Sequence, residues 1–449
     1  MQPARPQSPS CREPHTPLPA LVMVITLSLA SCGGGVPGAE PPAPPAGTHF
    51  VSPAGSDQGP GTEAAPWLTL QHAIDQLEPE DVLVVEPGTY AERLSIAPRG
   101  AADQPIVIRA RQAGAAVIDG TGGVALADRG EGIAHLTLSG LAVTNASRGI
   151  SLDAPVEGLT ITDCAITNSA NALLCYQGRD LALRDLRVTD CHDGIGLGVK
   201  GQFGIDGVEI TGCTVTRELD LEGNDNVDGF RVEGLCTDLQ IADCEAAGYD
   251  DSGFDIKPDG ALVERCLAHH NGDNGFKLWG AGARLVNCIA RDNADTGVTL
   301  ADAVELYHCT IAFNGRAALR PGADDITQIV VRNCIIAHNF VRQYIANGGP
   351  GIYEDDYNLY YALEDDLIWK VMDGDRGAYT LEDLQGGALP LGAHDLFADP
   401  RFVSVIDTDL GLRADSPAVD AGLPLDFVTV DFAGAPRDAH PDIGALERR

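Results

Sequence analysis

The chain has 449 residues, 44% hydrophobic and 5% aromatic, with 52 glycines, so it carries enough apolar material for a large core. Lys plus Arg number 30 against 65 Asp plus Glu, a formal charge of −35. That charge opposes binding to nucleic acid, and to any polyanion unless a cation mediates.

Arg5 and Arg12 precede an apolar run, Leu18 to Ala30, that is too short to span a bilayer and is followed by small residues, the pattern of an export signal. Leu29-Ala30-Ser31-Cys32 resembles a bacterial lipobox. The resemblance implies cleavage before Cys32 and a diacylglycerol on its thiol, with residues 1–31 outside the fold; an ordinary secretory signal cut nearby is the alternative. Residues 32–47 are mostly Gly, Pro and Ala and read as an extended tether. The expected location is exported, either lipid-anchored to a bacterial cell envelope or extracellular, with membrane contact only through the anchor.

Residues 48–130 read as an N-terminal cap and first coils. Leu70, Ala73, Ile74 and Leu77 fall at i, i+3, i+4 and i+7, one face of a short helix with Thr69 as N-cap and Pro79 as its stop. VLVVEPGTY, LSIA and PIVIRA follow as short strands broken by Pro and Gly. The pattern FVSPAGSD…PWLTLQHAID…PGTY resembles the start of secreted bacterial parallel β-helix proteins, including many polysaccharide lyases. That likeness implies a helix that caps the open end of the stack, where strand edges would otherwise be exposed.

From 131 to 340 a period of 20 to 25 residues takes over. Each repeat is an apolar strand, a polar turn, then Gly-apolar-x-apolar, which fits a solenoid of parallel strands better than a sandwich of hairpins. The LxxLxL spacing of a leucine-rich horseshoe is absent. Cys164, Cys213, Cys244, Cys266, Cys288, Cys309 and Cys334 occupy the same place in TDC, TGC, ADC, ERC, VNC, YHC and RNC. Equivalent residues on stacked strands point the same way, so these cysteines are expected as an inward ladder of small thiols rather than as disulfides. Asn271, Asn293, Asn314 and Asn339 each follow a ladder cysteine by five residues and are placed to bond coil to coil. Residues 341–449 lose the period and read as last coils and C-terminal closure. The fold class is all-β: a right-handed parallel β-helix (solenoid) with a short N-terminal capping helix, expected as a monomer.

Between Asp225 and Gly280 three repeats carry chemistry: NVDGFRVEG, DDSGFDIKP and DNGFKLWG. Alternation turns Phe230, Phe254 and Phe276 inward, so the outward rows read Arg231, Asp255, Lys277, Thr299 and Glu233, Lys257, Trp279, Ala301. Asp228, Asp250 and Asp251, Asp273 and Asp295 are expected at the preceding turn on successive coils. Alternating signs alone would describe a surface salt-bridge ladder, worth little. The surplus of carboxylate at Asp228, Asp250, Asp251 and Asp255 argues for a hard cation between them, and all-oxygen ligands suit Ca²⁺. His269 and His270 lack a third partner at metal-ligand spacing.

Asp228, the DDSGFD run and NGFKL resemble the active-site coils of the pectate lyases of polysaccharide lyase family nine. The resemblance implies Ca²⁺ bound by Asp228, Asp251 and Asp255, and Lys277 as the base. The family's second adjacent aspartate falls on Ser252, with Asp250 as its possible substitute. Removal of the C5 proton of a uronate, beside a neutralised carboxylate, would expel the 4-linked sugar. Arg231 and Lys257 are candidate partners for further carboxylates, and Trp279 for a sugar ring. The expected partner is an acidic polysaccharide. Uronan epimerisation, glycoside hydrolysis and a non-catalytic glycan-binding surface protein remain the alternatives.

Overall fold

The computed structural model describes residues 47–449, apart from residues 200, 219–225, 301–302, 323–327, 340–341, 345–351, 363–367, 373–374, 380–381, 383–391 and 408. The segment expected as an export signal, Cys32, the expected tether up to residue 46, and Ala301 lie outside the described residues.

The chain winds as a parallel β-solenoid. One face is a 14-stranded parallel sheet that begins with Thr48–Val51 and ends with Ile352–Asp356. Two further columns of parallel strands complete each coil, and the long strands Leu141–Leu152 and Ala165–Cys175 run through the corner that joins them.

The corners explain a recurring residue choice. The residue before each ladder cysteine, from Asp163, Gly212 and Asp243 through Arg265, Asn287, His308 and Asn333, has a positive φ between 49° and 67°. Gly visits that left-handed region without strain, and Asn and Asp with less strain than other residues; Arg265 and His308 adopt it at the same corner. One such residue turns the chain and sends the next side chain, the cysteine, into the core. All ten cysteines of the described residues are buried and free. The backbone N–H groups of Cys213, Cys266 and Cys309 point at the sulfurs of Cys244, Cys288 and Cys334 at 3.3–3.4 Å, which aligns the thiols along the axis.

A second polar ladder lines the next corner. Asn271 Nδ2 donates to Asn293 Oδ1, Asn293 Nδ2 to Asn314 Oδ1 and Asn314 Nδ2 to Asn339 Oδ1, each at 2.9 Å, and all four residues are buried. Glycine makes room for it: a Cβ on Gly253 would stand 2.8 Å from Asn271 Nδ2 and 2.9 Å from the Gly275 carbonyl. Beside it Phe230, Phe254 and Phe276 stack with centroids 4.7 and 4.8 Å apart, their planes nearly parallel at 2° and 12°. That spacing is the strand spacing of the sheet, so the aromatic contacts and the backbone ladder reinforce one register.

Leu70–Asp75 is a single short helix, and the Thr69 hydroxyl accepts from His72 N at 3.3 Å. It ends at Gln76, three residues ahead of Pro79, with Leu70, Ala73 and Ile74 buried. At the other end the C-terminal segment lies along the flank. Phe402, Leu412, Ala418, Ile443 and Ala445 cover outward residues Ile289, Ala312, Ile335 and Leu359 of the later coils. Arg437 fastens it by donating to Asn287 Oδ1 at 2.7 Å and to Glu447 Oε1 at 2.6 Å. No helix among the described residues is long and apolar enough to cross a membrane.

Candidate active site

The third column carries the site. Its strands Asp193–Leu197, Phe230–Val232, Ser252–Ile256, Asn274–Leu278, Thr296–Leu300 and Ala317–Pro321 pair in strict parallel register. Arg231 lies beside Asp255, Asp255 beside Lys277, and Lys277 beside Thr299, as the alternation predicts.

The aspartates fall into two rows rather than one. Ser252 pairs with Asn274 and Asn274 with Thr296, and Asp228 stands in this row because it precedes Phe230 by the same two residues. Asp251, Asp273 and Asp295 form the neighbouring row, joined through backbone bonds from Asp273 N to Asp251 O at 2.9 Å and from Asp295 N to Asp273 O at 3.1 Å. The expectation that Asp228 shares a turn position with Asp250 and Asp251 is thus corrected by one residue: its neighbour is Ser252, whose backbone N–H donates to Asp228 Oδ1 at 3.2 Å.

Asp228 is 3% exposed. Burial, followed by the charges of Asp255 and Asp251, pushes its carboxyl up to about 8, against a smaller opposing pull from Lys277. Asp255 is also buried; its Oδ2 accepts from Lys257 at 2.8 Å, while its Oδ1 is enclosed without a hydrogen-bond partner. Lys257 is shared with Glu233. Asp251 Oδ1 accepts from the Lys277 ammonium and from Ser252 Oγ at 3.0 Å. Lys277 also lies 3.9 Å from Asp273, and its side chain is 13% exposed. Asp250 turns the other way, to Arg217 at 3.5 Å, with its second oxygen buried and unbonded.

Among the described residues no three His, Cys, Asp or Glu side chains converge as metal ligands. Lys257 and Lys277 instead sit on Asp255 and Asp251, the two carboxylates of the resemblance that lie nearest Asp228. The donor set nevertheless suits a hard cation. Asp228 is crowded by like charge, and Asp255 has an oxygen that burial has stripped of water and that no protein donor satisfies.

Two residues missed in the sequence join this surface. Asp193, 8% exposed, accepts from Arg231 Nη2 at 3.1 Å and from Asn171 Nδ2 at 3.2 Å. The signal was present, since Asp193-Gly194-Ile195-Gly196-Leu197 repeats the Asp-Gly-apolar-x-apolar of Asp228–Val232. Arg320 stands beside Thr299 and donates to Asp295 Oδ2 at 2.8 Å. Its repeat is disguised because Ala318 replaces the usual glycine. Trp279 is 36% exposed and lies across the following coils, against Thr299 and Gly322.

The family described as Pel9A-like, right handed beta helix region, matches residues 49–319, more than half of the chain. The chain belongs to the Pel9A-like right-handed β-helix family. This establishes the handedness of the solenoid and bears out the resemblance to the family-nine pectate lyases at the level of the family. A pectate lyase, PEL9 of Emericella nidulans, is 37% identical over 81 residues, 18% of this chain and 20% of the relative. The uncharacterized protein YwoF of Bacillus subtilis is 25% identical over 207 residues, 41% of this chain and 40% of the relative. The chain thus spans well under half the length of each. Among solved structures, pectate lyase Pel9A superposes with a TM-score of 0.52 at 17% identity, covering 90% of this chain and 96% of that one. XylC in complex with xylose gives 0.60 at 11% identity, covering 89% and 99%. At such identities these two show a shared fold.

Proposed function

We propose that this member of the Pel9A-like family is a Ca²⁺-dependent polysaccharide lyase that cleaves a pectate-like polyuronate by β-elimination, with Lys277 as the base. The observation that carries the proposal is the placement of Lys277 on the strand next to Asp255, leaning on Asp251, within the cluster that crowds Asp228. The pectate lyase names of two relatives support the same reading.

Asp228, Asp251 and Asp255 would hold the cation. When bound, it neutralises the substrate carboxylate and so acidifies the neighbouring C5–H. Lys277 acts as the neutral amine, after its ammonium has given a proton to solvent: Nζ takes the C5 proton, the C–H electron pair becomes the C4=C5 double bond, and the C4–O4 bond breaks, the leaving oxygen gaining a proton from solvent. Asp251 orients the lysine over the outward row, and partial burial keeps water from competing for its side chain. Lys257, bound to Glu233 and Asp255, fixes the Asp255 carboxylate.

The test is ultraviolet absorbance of the unsaturated uronate product on a panel of polyuronates, with Ca²⁺ and with chelator. Signal that depends on Ca²⁺ and is lost in Lys277→Ala is expected; no signal on any polyuronate, or full rate in Lys277→Ala, sinks the proposal. We also propose lipidation at Cys32, which predicts detergent partitioning that Cys32→Ser abolishes, and a capping role for the Leu70–Asp75 helix at the N-terminal end of the core.

A further inference from the structure

The outward row that holds Lys277 reads, coil by coil, Gly196, Arg231, Asp255, Lys277, Thr299 and Arg320. One arginine stands two coils before the lysine and one two coils after it, about 10 Å to either side at the strand spacing of a β-sheet. Each leans on an aspartate of the preceding coil, Arg231 on Asp193 at 3.1 Å and Arg320 on Asp295 at 2.8 Å. Asp193 opens its strand, in the row of Asp228, whereas Asp295 lies one residue before its strand, in the row of Asp251. Lys277 leans on Asp251 as Arg320 does on Asp295.

Such a partner holds the guanidinium in place without exhausting it. An arginine has five N–H donors. Arg231 gives one to Asp193, and Arg320 gives one to Asp295 and a longer one, 3.4 Å, to Asn274. Their side chains are 32% and 27% exposed, so both heads can be reached from solvent. Between Lys277 and Arg320 lies the indole of Trp279. Atoms of the Trp279 ring lie 3.0 and 3.1 Å from where a Cβ on Gly322 would stand, and Thr299 beneath is 2% exposed.

We infer that Arg231 and Arg320 are a pair of carboxylate-binding positions that hold an acidic glycan parallel to the solenoid axis, with Lys277 midway between them. The inference rests on the polyuronate-lyase reading of the site. A guanidinium grips a carboxylate through two parallel N–H donors, which a lysine ammonium cannot do. From one arginine to the other is four strand spacings, about 19 Å, so an oligomer several sugars long engages both and a disaccharide reaches at most one.

The experiment uses the Lys277→Ala chain, titrated calorimetrically with oligogalacturonates of increasing length in the presence of Ca²⁺. Affinity is expected to climb with length and then level off once both arginines are engaged. Arg231→Gln or Arg320→Gln in that background should each lower the affinity for long oligomers roughly tenfold, the loss of one charge-assisted contact, and should abolish the late part of the climb. Arg320→Lys, which keeps the charge and the pair with Asp295 but not the fork, should recover only part of the loss; it also serves if a glutamine variant unfolds. If the Lys277→Ala chain binds long oligomers and every arginine variant binds them equally well, the inference is overturned and the lyase reading stands. If the Lys277→Ala chain binds no oligogalacturonate or polyuronate, the lyase reading is overturned and takes this inference with it.

Discussion

Asp250 and Asp251 are adjacent in the sequence, yet the structure gives them different cations, Arg217 to the first and Lys277 to the second. Calcium titration separates their roles. Asp255→Asn is expected to weaken Ca²⁺ at least tenfold, because it removes charge from the buried carboxylate whose Oδ1 has no protein donor. Asp250→Asn should leave that affinity within twofold and lower the melting temperature instead, since it strips the charge partner from a nearly buried Arg217 at a cost of about 1–3 kcal/mol. Lys257→Met should shift the calcium isotherm to lower concentration, since the ammonium 2.8 Å from Asp255 Oδ2 competes for the carboxylate the cation needs. Unchanged affinity in Lys257→Met would mean that the ammonium on Oδ2 does not compete with the cation for Asp255.

Most of the architecture was readable as pattern, because the coil repeats the same physical problem. A left-handed corner favours Asp, Asn or Gly, and the next side chain turns inward as Cys; hence TDC, TGC, ADC, VNC and RNC, with Arg265 and His308 holding the same corner in ERC and YHC. The phenylalanine ladder was readable from alternation for the same reason. Acidic character alone puts Asp228 one residue off its row, whereas the register is set by the buried ladder: two residues before each phenylalanine come Asp228, Ser252 and Asn274. Arg320 was missed because strand pairing brings it to the site from a repeat without the glycine. The ladder's weight is testable. Phe254 is fully buried between Phe230 and Phe276, so Phe254→Ala should cost about 3–5 kcal/mol in urea unfolding, with its fluorescence-silent core change read by circular dichroism. The docked C-terminal segment adds a pH dependence. His308 is buried, with Nδ1 unbonded and Nε2 2.7 Å from Asn333 Nδ2. Burial, then the Arg437 charge, hold its pKa well below that of a free imidazole. The unfolded chain therefore takes up a proton that the folded chain refuses, so this contribution is present above about 6.5 and is lost as pH falls below it. Raised carboxyls at Asp442 and Glu447 face the same segment and act in the opposite sense at lower pH, so the contrast is made by mutation. His308→Gln should flatten the fall in melting temperature between neutral and mildly acid pH; an unaltered slope would remove His308 from the account.

Across the whole molecule, 65 acidic against 30 basic side chains place a negative field around a solenoid whose proposed ligand is also a polyanion. A nucleic-acid binder of opposite charge to its ligand associates more slowly as salt rises. Here the distant charges repel and only the row of Arg231, Lys277 and Arg320 attracts at contact, so screening acts first on the repulsion. A Debye length near 10 Å at 0.1 M salt is shorter than the reach of the outlying carboxylates and comparable to the spacing between the cationic positions. Stopped-flow association of a long polyuronate with the Lys277→Ala chain, at fixed free Ca²⁺, should therefore speed up as a monovalent salt is raised from low concentration. The dissociation rate should rise as well once the arginine contacts themselves are screened. An association rate that falls monotonically with salt would show that a cationic field, not the local row, brings the glycan in, and the acidic surface would then have to be oriented away from the approach path.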